Sequence, residues 1–218
     1  MKYPAIVSKG EWLQARQALL EREKEMTKAL DALAAVRRAQ PMVEITQQYE
    51  FESPVGKLKL VDLFGGKDQL IVYHNMLSPN SDHVCPGCSR FSDDLGGIEH
   101  LPARRTSFVM VSRAPLARIE AVKARFKWRF DWYSCEGTTF HEDFVTAHKA
   151  PYGLSVFIRQ NERVFLSYFT TGRGIELASN SFQLLDLTPW GRQEAWQDLP
   201  DDVPREDAHS WLKLSDHY

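Results

Sequence analysis

Over residues 9–40 the chain is dense in Ala, Leu, Glu, Lys and Arg, and Trp12, Ala15, Leu19, Met26, Ala29, Leu33 and Val36 recur at steps of three and four. That is the period of one helical face, broken once where Arg22 occupies an apolar position. Ser8-Lys9-Gly10-Glu11 has the spacing of a capping box at the start, and Pro41 closes the run. The pattern predicts one long helix, of about 45 Å at 1.5 Å per residue. Its stripe must be covered, either by the rest of the chain or by a second copy.

From Tyr49 the period changes. Tyr49-Glu50-Phe51 and Lys57-Leu58-Lys59-Leu60 flank the turn Ser53-Pro54-Val55-Gly56 and predict a hairpin. An apolar run at residues 70–74 predicts a buried strand, and Ser89 to Leu95 can continue as a helix. Residues 106–112 predict a second buried strand, 115–127 an amphipathic helix carrying Leu116, Ile119, Val122 and Phe126, and 128–133 a further strand. Residues 154–159 and 163–169, joined by Gln160-Asn161-Glu162, predict an antiparallel hairpin, and 175–187 a final helix. Strands and helices alternating in this way imply parallel crossovers, so the fold class is α/β, a mixed sheet flanked by helices.

Composition narrows the function classes. A chain of 218 residues with 43% hydrophobic and 11% aromatic residues is long enough to bury a sizeable core. A formal charge of −2 without a basic stripe provides no electrostatic footprint for nucleic acid. The start, Met1 to Val7, lacks the apolar core of a signal peptide, and no apolar run approaches the roughly 20 residues of a membrane span. The expectation is a cytoplasmic protein. Three cysteines, an odd count, argue against a disulfide framework.

Cys85 and Cys88, with Pro86 and Gly87 between them, follow a strand and a loop and open a helix. The thiolate is the nucleophile, and the positive end of a helix with its free N–H groups favours a charged sulfur in the first turn. Cys85 is therefore the expected attacking thiol, and Cys88, one turn deeper, the resolving thiol. The same spacing also suits half of a zinc site, which His74 and His83 would complete. Tyr73 and His74, at the end of the preceding strand, are candidates to move a proton to or from Cys88. Arg113 and Arg173 are candidates to stabilise a thiolate or hold an anion, against the plainer reading of solvated arginines. Cys135 reads as a buried bystander, His141-Glu142-Asp143 as a surface cluster, and Trp190, Trp196 and Trp211 as anchors that pack the tail on the domain or a partner.

Trp12-Leu13 to Glu25, Asp62-Leu63-Phe64-Gly65-Gly66, Gln69 to His74, Cys85-Pro86-Gly87-Cys88-Ser89, Val111 to Leu116 and Leu184 to Pro189 together resemble the bacterial family labelled domain of unknown function 899. The resemblance spans nearly the whole chain and implies a thioredoxin-like fold. Two features depart from thioredoxins: Pro151 is separated from the strand at Leu154 by Tyr152 and Gly153, and a ten-residue loop, Asn75 to Val84, precedes the cysteines. The expected organisation is a helical arm (1–44), a thioredoxin-like domain (45–190) and a C-terminal extension (191–218). The expected function is a thiol–disulfide oxidoreductase or redox sensor, with peroxidase chemistry as a variant, acting on a protein or small-molecule thiol or disulfide. No cofactor, nucleic acid or membrane is implied, and the N-terminal helix offers a homodimer contact. The alternative is a non-enzymatic binding module whose cysteines are structural or hold zinc.

Overall fold

The Ser8 capping box starts helix α1 (Lys9–Arg38): Ser8 Oγ accepts from the Glu11 N–H (3.3 Å) and the Glu11 carboxylate accepts from the Ser8 N–H (2.9 Å). These elements are seen in a computed structural model that describes residues 3–218, so of the N-terminal stretch read above, Met1 and Lys2 lie outside it. No helix among the described residues is long and apolar enough to cross a membrane.

Beyond α1, β1 (Val43–Ile45) is followed by the hairpin β2 (Glu50–Ser53) and β3 (Gly56–Lys59), then β4 (Gln69–His74), α2 (Pro86–Asp93), β5 (Thr106–Ser112), α3 (Leu116–Phe126), β6 (Asp131–Ser134) and α4 (Phe140–Phe144). The hairpin β7 (Gly153–Gln160) and β8 (Arg163–Thr170), a 3-10 turn at Gly172–Ala178 and α5 (Asn180–Asp186) complete the order. The strands form a single sheet in the order β1-β8-β7-β4-β5-β6-β2-β3. Strands β4, β5 and β6 are parallel neighbours, joined by α2 and α3, while β7 runs antiparallel to β4 and to β8. A central strand feeding a cysteine-bearing helix, a parallel neighbour and an antiparallel hairpin on its other side make the fold thioredoxin-like.

Strand alternation sorts the side chains onto two faces. Leu70 and Val72 of β4 join Phe51, Phe64, Phe140 and Phe157 in one core, while Tyr73 joins Phe91, Met110, Ile119 and Trp132 in the other, beneath α2 and α3.

The structure departs from the sequence reading in four places. Strand β6 begins at Asp131, not residue 128, because Lys127 takes a left-handed φ of 58° and the Trp128 N–H closes α3 onto the Lys123 carbonyl (3.1 Å). The helix expected over 175–187 is a 3-10 turn and the short α5, separated by Ser179 in extended backbone. Strand β1, unread in the sequence, pairs with β8 at the sheet edge. Finally, the rest of the chain does not cover α1: none of its residues is buried, and Trp12, Leu19, Met26, Leu33 and Val36 are exposed.

Candidate active site around Cys85 and Cys88

Cys85 is the N-cap of α2, in extended backbone, with Pro86 following as the first helical residue, where the missing proline N–H costs nothing. The Ser89 N–H donates to the Cys85 carbonyl (2.9 Å), which closes the first turn and carries Cys88 inward. Cys85 is half-buried and Cys88 is 3% exposed. This places one sulfur at the surface end of the helix and the other beneath it.

The two sulfurs differ in acidity. The Cys88 thiol, donating to Cys85, lowers the Cys85 pKa to about 6 against the opposing effect of burial, with the N–H groups of Cys88 and Gly87 and the charge of His83 adding to it. Cys88 is pushed well above its ordinary value, first by that same bond and then by burial and the neighbouring Cys85 charge. The Tyr73 hydroxyl donates to Cys88 Sγ (3.4 Å) and partly offsets this shift. Stacking of Tyr73 on Phe91, ring centroids 4.1 Å apart, holds that phenol in place.

A cavity of about 350 Å³ opens above the thiols. Its other walls come from distant segments: Tyr152 precedes β7, Ile175 and Glu176 lie in the 3-10 turn, Phe182 in α5, and His209 and Leu212 near the C terminus. The Thr171 hydroxyl donates to the Tyr152 carbonyl (2.6 Å) and ties the end of β8 to the start of β7. Arg192, 6% exposed, donates to Glu176 (2.8 Å) and to both oxygens of Asp186 (2.9 and 2.6 Å). Its guanidinium and that of Arg90 lie over the Phe182 ring, 4.1 and 3.8 Å from its centre. Buried Glu194 accepts from the indoles of Trp196 (2.7 Å) and Trp211 (2.9 Å) and from the His209 N–H (2.9 Å), so one carboxylate fixes the segment that roofs the cavity. Trp211 meets the rest of the chain at the Phe182 ring of α5 (centroids 6.0 Å apart), while Trp196 stays exposed beneath the Arg173 guanidinium.

Of the residues singled out in the sequence, Cys85, Cys88 and Tyr73 meet in this site. Arg173 stands at its rim, 3.4 Å from Glu176 and over the Trp196 ring at 3.8 Å. His74 does not reach the thiols. It follows Tyr73 on the strand and so faces the other core, where Nε2 bonds Ser155 Oγ (2.8 Å), the ring stacks on Phe140, and burial lowers its pKa to about 3. Arg113 is 3.8 Å from Glu142 and acts electrostatically on Cys135, away from Cys85. Cys135 is buried, and burial together with Glu142 pushes its thiol up to about 12. The surface cluster expected at residues 141–143 is corrected at its first member: His141 is 4% exposed, because α4 turns it inward between buried Phe140 and Phe144, and its ring centre lies 6.5 Å from that of His74. No group of three or more possible metal ligands converges among the described residues.

The sequence profile of a bacterial family, described as bacterial protein of unknown function (DUF899), matches residues 1–218. The chain belongs to this family. No curated protein matches it. Among solved structures it is similar to a thiol:disulfide interchange protein from Bacteroides sp. (9% identity, TM-score 0.46, 67% of this chain and 91% of that one). It is also similar to thioredoxin from Wuchereria bancrofti (20%, 0.41, 63% and 90%) and to thioredoxin peroxidase I from Plasmodium yoelii (14%, 0.45, 77% and 98%).

Tyr152, Glu176, Phe182, Arg192 and His209 were not legible as site residues. Local signals for them were slight: Glu176 interrupts the apolar pair Ile175 and Leu177, and Tyr152 occupies the gap between Pro151 and the strand.

Proposed function

We propose that this family member is a thiol–disulfide oxidoreductase in which Cys85 attacks and Cys88 resolves. The observation that carries this reading is the asymmetry of the pair: a half-buried, acidified sulfur at a helix N-cap above a buried, protonated one. In the first step the Cys85 thiolate attacks one sulfur of a substrate disulfide, forming a mixed disulfide and expelling the other substrate sulfur as a thiolate. Cys88 then loses its proton, attacks Cys85 Sγ and expels the second substrate thiolate. The Cys85–Cys88 pair is oxidised to a disulfide, and the two substrate thiolates it has supplied with two electrons take up the Cys88 proton and one proton from water.

The direct test is trapping. Cys88→Ser should accumulate a mixed disulfide on Cys85, and Cys85→Ser should accumulate none, as read by non-reducing electrophoresis and mass spectrometry. Purified protein that carries stoichiometric zinc and forms no Cys85–Cys88 disulfide under a mild oxidant would overturn the reading in favour of the structural or zinc-holding pair.

A further inference from the structure

The cavity over the thiols narrows the choice of substrate. Its volume of about 350 Å³ lies at the lower end of the roughly 300–1,000 Å³ typical of small-molecule sites. Phe91, Ile175, Phe182 and Leu212 line it with hydrocarbon, and Tyr73 and Tyr152 present rings. The formally charged side chains in its wall are already matched: Glu176 with Arg192 (2.8 Å) and Arg173 (3.4 Å), and Arg90 with Asp94 (2.6 Å). An ionic substrate would lose its water without gaining a free counter-charge.

A protein disulfide would need different ground. An extended peptide is held mainly by main-chain hydrogen bonds to an open strand edge or rim. Here the Tyr152 carbonyl, one main-chain acceptor beside the cavity, already accepts from the Thr171 hydroxyl (2.6 Å). Residues 209–212 close over the N-terminal end of α2, and the Arg125–Asp216 pair (2.7 Å) anchors the tail beyond them. The wall that would meet a docking protein is thus the chain's own C-terminal segment.

We infer that the disulfide this protein reduces is a small uncharged molecule with an apolar body, seated in the cavity between α2 and the C-terminal segment, and not a disulfide within a protein. The inference rests on the oxidoreductase reading. The exchange is the one written above, with the two thiols leaving as small molecules and a thiol reductant restoring the Cys85–Cys88 pair.

The test uses the reduced full-length protein in single turnover against three disulfides: neutral aromatic dithiodipyridine, dianionic dithiobis(nitrobenzoate), and insulin. Each rate is divided by that of dithiothreitol with the same disulfide, to remove intrinsic reactivity. The normalised rate for dithiodipyridine should exceed the other two by about tenfold or more, the discrimination expected when a dry pocket accepts one class and rejects a charge. Leu212→Trp, or Ser210→Trp at the rim should the first fail to fold, should erase that preference while the melting transition stays cooperative. If insulin or the dianion matches dithiodipyridine, or both tryptophan variants keep the preference, the substrate class is wrong while Cys85 remains the nucleophile. If none of the three reacts faster with the wild-type protein than with Cys85→Ser, the oxidoreductase reading itself fails.

Discussion

Tyr73 packs with its ring and bonds with its hydroxyl, and the two roles can be separated by removing one oxygen. Tyr73→Phe keeps the stack on Phe91 but takes the donor away from Cys88 Sγ. The Cys88 thiolate is then less stabilised, and the resolving step should slow by up to about tenfold for each unit by which the Cys88 pKa rises. Attack by Cys85 should be unchanged, so the mixed disulfide should build up transiently, visible by rapid acid quench; an unchanged resolving rate would remove Tyr73 from the mechanism. For Cys85, a pKa lowered from 9.0 to about 6 has two consequences. Alkylation of the reduced protein at Cys85 should rise with a midpoint near pH 6. Because the folded value lies below the unfolded one, this group's contribution to stability is fully present above pH 9 and is lost as the pH falls to 6. The melting temperature of the reduced wild type relative to Cys85→Ser should therefore climb across that interval, and a flat difference would contradict the depressed pKa. The strand period already separates Tyr73 from His74, since neighbours on a strand face opposite ways. What the sequence could not show is that the face turned to Phe140 is closed, leaving His74 with a serine and no thiol.

Among the elements, the join between β7 and the cavity depends on a glycine and the roof on a carboxylate. A Cβ at Gly153 would fall inside the contact distance of the Phe169 ring on β8, with the Thr170 carbonyl oxygen 3.3 Å away. Gly153→Ala is expected to destabilise the fold by about 1–3 kcal/mol, the usual effect of forcing extra volume into packed structure. It should also shift adjacent Tyr152; thermal melting and the rate of dithiodipyridine reduction read the two effects. In the C-terminal segment, Glu194→Leu would leave two indole N–H groups and the His209 N–H without their acceptor, at about 1–3 kcal/mol for each group left dry. Faster amide hydrogen exchange should appear across residues 192–212 while β4, β5 and β7 keep their protection. Equal loosening of the sheet would show that the roof is not a separable unit. Residues in the central elements were legible because each carries its own period: two for the strands, 3.6 for α3, and the cysteine spacing for α2. The roof has neither period. Arg192 and His209 acquire meaning from partners in α5 and the 3-10 turn, and Glu194 from donors up to 17 residues further along the same segment, contacts that local sequence does not encode. His141 is the intermediate case, since Phe140 and Phe144 four residues apart mark an inward-facing side that a buried neighbour can share.

For the whole molecule the outstanding feature is α1, a helix of 30 residues without a buried side chain. Its capping box supplies about 1 kcal/mol at one end, and its exposed Arg16–Glu23 (2.7 Å) and Lys24–Glu21 (3.0 Å) pairs only tenths of a kcal/mol each. Such terms do not account for Trp12, Leu19, Met26 and Leu33 standing in solvent at a strict seven-residue interval. A seven-residue interval, with Ala15, Ala29 and Val36 completing the seam and Arg22 its one polar place, is the register in which two helices wrap around each other. A second copy of the chain supplies a matching seam by symmetry, which makes a homodimer through α1 the expected state. The apolar side chains lie one to two turns apart over nearly the full helix, so a single charge placed midway should disrupt the whole seam. Met26→Lys is expected to shift the mass measured by light scattering from two chains to one at low micromolar concentration. Because none of the cavity-lining residues lies in α1, dithiodipyridine reduction by that variant should proceed at the wild-type rate. A wild-type protein that is already monomeric, or a variant that remains dimeric, would exclude α1 as the contact.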